Sequence, residues 1–254
     1  GMEPKPVHVL KRGDIDKPGK LAEPGALATI AELPARFASS DPKREAERRV
    51  ALVIGNSAYK VDPLKNPAND AEDIAKALRN AGFKVILKRN ANTRDMRQAI
   101  SEFGSELRRA QVGLFYFAGH GVQVNGVNYL VPVGADIQSE ASAGDLAVDA
   151  NSALRAMEKA QVKVSIVILD ACRNNSITRN FRLASRGLAQ MTAATGSLIA
   201  FAAAPGAVAA DGGGRNGIYT KHLLASLSQA DTDILKVFQL TRAEVVKETE
   251  GKQT

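Results

Sequence analysis

The chain holds one cysteine, three histidines and no tryptophan in 254 residues. A lone cysteine, Cys172, excludes an internal disulfide and any metal site built from several cysteines, so it is either an inert buried thiol or a nucleophile. There is no histidine cluster, and no acid-and-glycine loop of the calcium-binding kind. A phosphate-cradling loop is missing too: Gly55-Asn56-Ser57 follows an apolar run but lacks the repeated glycines and the lysine. No apolar segment is long enough to cross a bilayer, and the N-terminus lacks the zones of a signal peptide, so a soluble polypeptide with no membrane partner is expected. Gly1 before Met2 has the form of a tag-cleavage remnant. The cytoplasm is therefore the default compartment, and an exported or periplasmic one follows if a leader has been removed.

Aromatic residues are sparse at 5%. The net charge of +7 invites a nucleic-acid reading, but the basic residues are scattered with little aromatic interleaving, and nucleic acid is not an expected partner. An apolar content of 44% is ample for the core of one α/β domain with an appendage. Residues 1–45, broken by PKP, KPGK, EPGAL and DPKREAERR, read as an irregular arm, and 46–254 as the domain.

Within the domain, strands and helices alternate. Strands are expected at Arg49–Gly55, at Phe83–Leu87, through LFYFAGHG (Leu114–Gly121), through VSIVILDACRNN (Val164–Asn175) and at Ser197–Ala202. Between them the 3.6-residue period predicts a helix entered at Asn69-Asp-Ala-Glu72, a capping-box pattern with asparagine as cap, and carrying Ile74, Leu78 and Ala81 on its apolar face. Further helices are expected at Thr93–Arg109, with Met96, Ile100, Phe103 and Leu107 on one stripe, and near Ser152–Ala160, Tyr219–Ser228 and Asp233–Glu248. Asn125-Gly126 between two apolar alternations predicts a tight hairpin after the third strand. The chain stops without a closing strand, so the sheet is expected to lack one edge partner.

Two of these strands end abruptly in a reactive residue, His120 in one and Cys172 in the other. Parallel strands end along one sheet edge, where open α/β folds place their ligand sites, so both groups would share one rim. A thiol attacks a carbonyl only as thiolate, and a nearby imidazole can take its proton and later deliver it to a leaving amine. The oxyanion that forms needs fixed donors, and the backbone amides of Gly121 and Cys172 are the candidates, because glycine lets main chain approach closely. For an isolated cysteine and histidine, a small buried hydrophobe and a turn residue would be the better account. Placement at two strand ends reverses that preference, and the spacing of the pair is close to the roughly 50 residues that separate histidine from cysteine in caspases.

The stretches ALVIGNSAY (51–59), NPANDAEDIAKAL (66–78), FYFAGHGVQVNGVNYLVP (115–132), ILDACRNN (168–175), LIAFAAAPGAVAADG (198–212) and NGIYTKHLL (216–224) resemble the caspase-like family of cysteine peptidases (peptidase C14), in particular bacterial metacaspase-like proteins, the orthocaspases. The resemblance covers about 49–250. It implies a three-layer α/β sandwich on a mostly parallel sheet, six-stranded in the family, of which five core strands are located here. It also implies His120 and Cys172 as the catalytic dyad, working without a cofactor. Some metacaspases require calcium, so calcium as an activator is a further expectation, with the acidic segments Asp136–Glu140 and Asp145–Asp149 as places to look. The chain is expected to act as a monomer.

Specificity turns on charge. Caspases that select aspartate carry glutamine two residues before the cysteine, and this chain has Asp170 there. Metacaspases and paracaspases use such an acid to bind arginine or lysine, and Asp70 matches their second pocket acid. Asp211, in a loop similar to the family's substrate-binding loop, is a third candidate, and an ordinary Asp-Gly-Gly turn explains it equally well. Two converging carboxylates would favour a guanidinium and repel an acidic side chain, so protein or peptide substrates with a basic residue before the scissile bond are expected. Such an enzyme would find its own basic segments accessible, and self-processing is expected in Arg173–Arg186 or near Lys43, Arg44, Arg48 and Arg49. The rival reading is a catalytically silent caspase-like interaction module.

Overall fold

The computed structural model describes residues 48–172, 188–192, 195–203, 213–229 and 233–253, and for Cys172 the description covers the backbone. The arm 1–45 and the segment Arg173–Arg186 lie outside the described residues, as does Asp211. Five parallel strands form the core sheet: β1 (Arg49–Gly55), β2 (Phe83–Arg89), β3 (Val112–Val124), β6 (Val164–Cys172) and β7 (Ser197–Phe201). Their order across the sheet is β2-β1-β3-β6-β7. These are the five strands expected from the apolar runs, and their continuous hydrophobicity follows from burial on both faces.

Helices cover the two faces. α1 (Pro67–Asn80), α5 (Ile218–Leu227) and α6 (Ile234–Glu248) form one layer, with α1 packing on β1, β2 and β3 and α5 joining α1 to α6. α2 (Thr93–Glu106), continued by a tight turn at Leu107–Arg109, and α4 (Asn151–Lys159) form the other. Met96, Phe103, Leu107 and Met157 from that second layer meet Leu52, Ile54, Phe115, Phe117, Val167 and Leu169 in one buried cluster. The alternate strand positions, Ala51, Val53, Tyr116 and Ile168, are also buried. The fold is thus a mostly parallel sheet between helices, the three-layer α/β arrangement expected, and among the described residues no helix is long and apolar enough to cross a membrane.

Beyond the core, β3 turns back through Asn125 and Gly126, both at positive φ, into β4 (Val127–Leu130). This is the expected hairpin, and the turn demands residues that tolerate the left-handed region at both positions. Two short elements were not anticipated, α3 (Glu140–Leu146) and β5 (Val148–Asp149), and β5 adds antiparallel to β4. Ser139 caps α3 through a capping box with Ser142.

The start of α1 corrects the sequence reading. The helix begins at Pro67, with Asn66 as its cap position, and Asn69 lies inside the first turn. Proline at the first helical position has its φ already set and no N–H to satisfy, which outweighs the downstream asparagine pattern. The amide of Ala68 is instead capped by the Ser57 hydroxyl at 3.0 Å, from the preceding loop. Asp70 lies in the same first turn and sits on the buried stripe with Ile74 and Leu78, 2% exposed. Arg49 opens β1 as expected, and its guanidinium donates to the Ala81 carbonyl at 3.2 Å, so of the basic residues named for self-processing it is tied into the folded domain.

Gly55 sets how closely α1 can begin over the end of β1. A methyl group on Gly55 would fall 2.1 Å from the Pro67 carbonyl oxygen and 2.6 Å from Ala71 Cβ. Gly104 in α2 is the opposite case, since a methyl there would touch only Ala156 Cβ at 3.6 Å. We predict that Gly55→Ala lowers stability by about 3 kcal/mol, the upper end of the overpacking range, because the clash is with rigid backbone. Gly104→Ala should raise it by roughly 0.5–1 kcal/mol through helix propensity. Thermal unfolding of both variants checks the pair, and a neutral Gly55→Ala would contradict the packing described.

Candidate active site

β3 and β6 run in register from Val112↔Val164 to His120↔Cys172, so the two candidate reactive positions are side by side at the last rung of the pair. Ala118 and Asp170 occupy the alternate rung before them. Because side chains alternate across a strand, Tyr116, Ala118 and His120 share a face, and so do the β6 positions beside them.

His120 is 1% exposed and held on several sides. Its backbone N–H donates to the Tyr59 hydroxyl at 3.0 Å, and that hydroxyl donates to the Val131 carbonyl at 3.0 Å. The Tyr59 ring lies against the imidazole with centroids 4.4 Å apart and planes tilted by 50°. Nε2 is 2.7 Å from the Asp62 carbonyl oxygen. A carbonyl can only accept, so Nε2 carries the proton, and in the neutral ring Nδ1 is the basic nitrogen. Gly119 makes this cradle possible: a methyl on it would fall 2.6 Å from the Tyr59 hydroxyl, and its φ of 152° disfavours any side chain.

Gly121 follows directly. The N–H and C=O of His120 face away from β6, to Tyr59 and to the Val131 amide, which donates to the His120 carbonyl at 2.9 Å. Main-chain polar groups alternate in direction along a strand, so the Gly121 amide points to the β6 side, where Cys172 ends its strand.

The two candidate pocket acids, Asp70 and Asp170, come together around a third element. Asp70 Oδ1 accepts the Gly217 N–H at 3.1 Å, and Asp170 Oδ2 accepts the Thr220 hydroxyl at 2.7 Å. A methyl on Gly217 would be 3.3 Å from Asp70 Oδ2 and 3.8 Å from Asp170 Oδ2, so the carboxylates flank one small space. Their field is felt by the phenols nearby: burial, then Asp170 and Asp70, push Tyr116 well above the usual tyrosine range, and burial and Asp170 do the same to Tyr219. Arg215 straps this turn across α1, with Nε 2.9 Å from Asp73 Oδ2 and Nη2 3.2 Å from Glu72 Oε2. Asn69 donates its side-chain N–H to the Arg215 carbonyl at 3.2 Å.

Other residues singled out in the sequence have structural work. Asn56, from the rejected phosphate-loop motif, is fully buried, donates to the carbonyls of Ala91 and Val131 and accepts the Ala91 amide. Asp149 accepts from the Asn151 amide and pairs with Arg155. Among the described residues no group of three or more histidine, cysteine, aspartate or glutamate side chains is placed to hold a metal ion. Tyr59, Tyr116 and Thr220 escaped sequence reasoning as site residues. Tyr59 and Tyr116 stand inside motif stretches, yet only tertiary contacts across 61 and 104 residues give them their roles.

The family model for the caspase domain matches residues 48–254. Over 132 residues, 52% of this chain, the sequence is 34% identical to the human mucosa-associated lymphoid tissue lymphoma translocation protein 1 and 33% identical to its mouse homolog. The matched region is 16% of the length of each of those proteins.

Two buried phenols facing carboxylates carry a pH signature. A group whose folded pKa is raised contributes stability below its unfolded value, about 10 for tyrosine, and that contribution is lost as pH rises past it. Stability should therefore fall above about pH 10, and Tyr116 and Tyr219 should ionise only on unfolding. Absorbance at the tyrosinate band checks this: at least two of the four tyrosines should remain silent until the protein unfolds, and four titrating together in folded protein would contradict the burial described.

Proposed function

We propose that this chain, which belongs to the caspase-domain family of cysteine-type peptidases, is an endopeptidase that cleaves after arginine or lysine with Cys172 as nucleophile and His120 as its base. The observation that carries the proposal is the β3–β6 register, which sets His120 beside Cys172 and, one alternate rung away, puts Asp170 into the space it shares with Asp70. Nδ1 of His120 takes the thiol proton, and the thiolate attacks the scissile carbonyl carbon. The negative oxygen that develops is met by the amides of Gly121 and Cys172, which must first leave the ladder bonds that the His120↔Cys172 rung gives them, so this end of β3 and β6 parts when substrate binds. The imidazolium then returns its proton to the leaving amine, an acyl-enzyme remains, and water releases it by the same base. The Asp62 carbonyl keeps Nε2–H fixed and stabilises the charged ring while the proton is held. None of these steps draws on a metal or cofactor.

Substrate choice follows from electrostatics. Asp70 and Asp170 supply two negative charges around one slot, which suits a planar guanidinium or an ammonium and disfavours an acidic side chain. Activation by calcium, a monomeric state and protein substrates with accessible basic residues complete the proposal.

Paired fluorogenic peptides ending in arginine or in citrulline, its uncharged isostere, test the reading with and without calcium. Cys172→Ala and His120→Ala should each lower hydrolysis by at least about a thousandfold while the protein stays folded. Asp170→Asn should reduce kcat/KM for the arginine peptide by roughly 10- to 100-fold and change the citrulline peptide far less, because a charged hydrogen-bonding partner is removed. Full activity in either dyad variant would show that the dyad is misassigned. Preferred cleavage after aspartate would overturn the pocket, and no cleavage of any peptide would leave the chain as an interaction module.

A further inference from the structure

Both acids of the basic-residue pocket receive a hydrogen bond from the first turn of α5. Gly217, its N-cap, donates its N–H to Asp70, and Thr220, three residues on, donates its hydroxyl to Asp170. Thr220 is fully buried, and its oxygen lies 2.6 Å from the Tyr116 hydroxyl. The single proton of Thr220 goes to the carboxylate, so Tyr116 must be the donor in that second bond. Tyr116 is itself fully buried and kept neutral, which preserves it as a donor over the whole working pH range.

Glycine at 217 is not required by its backbone. Its φ of −60° and ψ of 155° are open to any residue, and an N-cap ordinarily favours serine, threonine, asparagine or aspartate. α5 has no side-chain cap there. What a side chain would take up there is the space between the acids: a Cβ would make a tight contact with Asp70 Oδ2 at 3.3 Å and an ordinary one with Asp170 Oδ2 at 3.8 Å.

We propose that the first turn of α5 is the positioning element of the basic-residue pocket: Thr220, backed by Tyr116, fixes Asp170, the Gly217 amide fixes Asp70, and the bare Cα of Gly217 keeps the slot between them open. The inference rests on the reading of Asp70 and Asp170 as the pocket. Thr220 and Tyr116 stand behind the carboxylate and are positioning residues. The positive end of the α5 dipole, roughly half a charge, steadies both acids and is outweighed by their two negative charges, so the slot still attracts a cation.

The test compares kcat/KM for the arginine and citrulline peptides in Thr220→Val, Thr220→Ser, Tyr116→Phe and Asp170→Asn. Thr220→Val should lower the arginine-to-citrulline ratio about tenfold, Thr220→Ser should retain it, and Tyr116→Phe should fall between them. A hydrogen bond to the charged form lowers a carboxylate's pKa, so its loss in Thr220→Val should move the acid limb of the arginine profile to higher pH, a change that a merely weakened fold would not produce. Gly217→Ala should depress cleavage after arginine and citrulline alike relative to a peptide ending in alanine, since the methyl fills the slot. If Asp170→Asn collapses the ratio but Thr220→Val and Gly217→Ala leave their ratios at the wild-type value, the positioning role is wrong and the pocket stands. A wild-type ratio in Asp170→Asn would remove both.

Discussion

The in-register pairing of β3 with β6 is the constraint on which the rest of the site depends. Side chains repeat every two residues along a strand, so a slip of one position would turn His120 or Asp170 to the opposite face and part the reactive pair. Burial fixes the register. Phe115 and Phe117 on β3 and Val167 and Leu169 on β6 enter the same cluster beneath α2 and α4, and both strands have neighbours on either side, β1 and β7. The alignment of the reactive rung is therefore set by several fully buried apolar side chains well below the rim.

At the rim itself, order comes from polar contacts between distant segments. Ser57 caps α1, Asn56 ties the end of β1 to the loops at Ala91 and Val131, and Tyr59 clasps the His120 amide. Each bond is short in reach and long in sequence, so the loop after β1 cannot move without disturbing the imidazole, the start of α1 and Asp70 together. Glycines work by what they omit. Gly55 admits α1, Gly119 admits the Tyr59 hydroxyl, and Gly217 leaves open the space between two acids.

The five core strands were legible because a strand buried on both faces must be an unbroken apolar run, and the hairpin because its turn needs residues such as Asn125 and Gly126. The adjacency of positions 120 and 172 was legible because each residue interrupts such a run at its end. The start of α1 was misread because Asn69 offers a local capping pattern, whereas the cap in use, Ser57, is supplied by tertiary structure. α3 and β5 were missed because seven and two residues carry too little periodicity to register. Asp70 left a trace in its placement on the apolar stripe of Ile74 and Leu78. Thr220 stands in the stretch NGIYTKHLL but its role was not legible there, because its partners Tyr116 and Asp170 are 104 and 50 residues away. The family match extends over 48–254, and it agrees with the resemblance carried by the motif stretches.

The central claim is that Cys172 is a nucleophile activated by His120 and addressed by a basic side chain. With one cysteine in the chain, alkylation has a single thiol to report. Intact-mass measurement after brief exposure to a peptidyl chloromethyl ketone ending in arginine should show one adduct per chain on wild-type protein. It should show none on Cys172→Ala, little on His120→Ala, and far slower labelling by the otherwise identical aspartyl reagent. Equal labelling by the two reagents, or undiminished labelling of His120→Ala, would contradict the account.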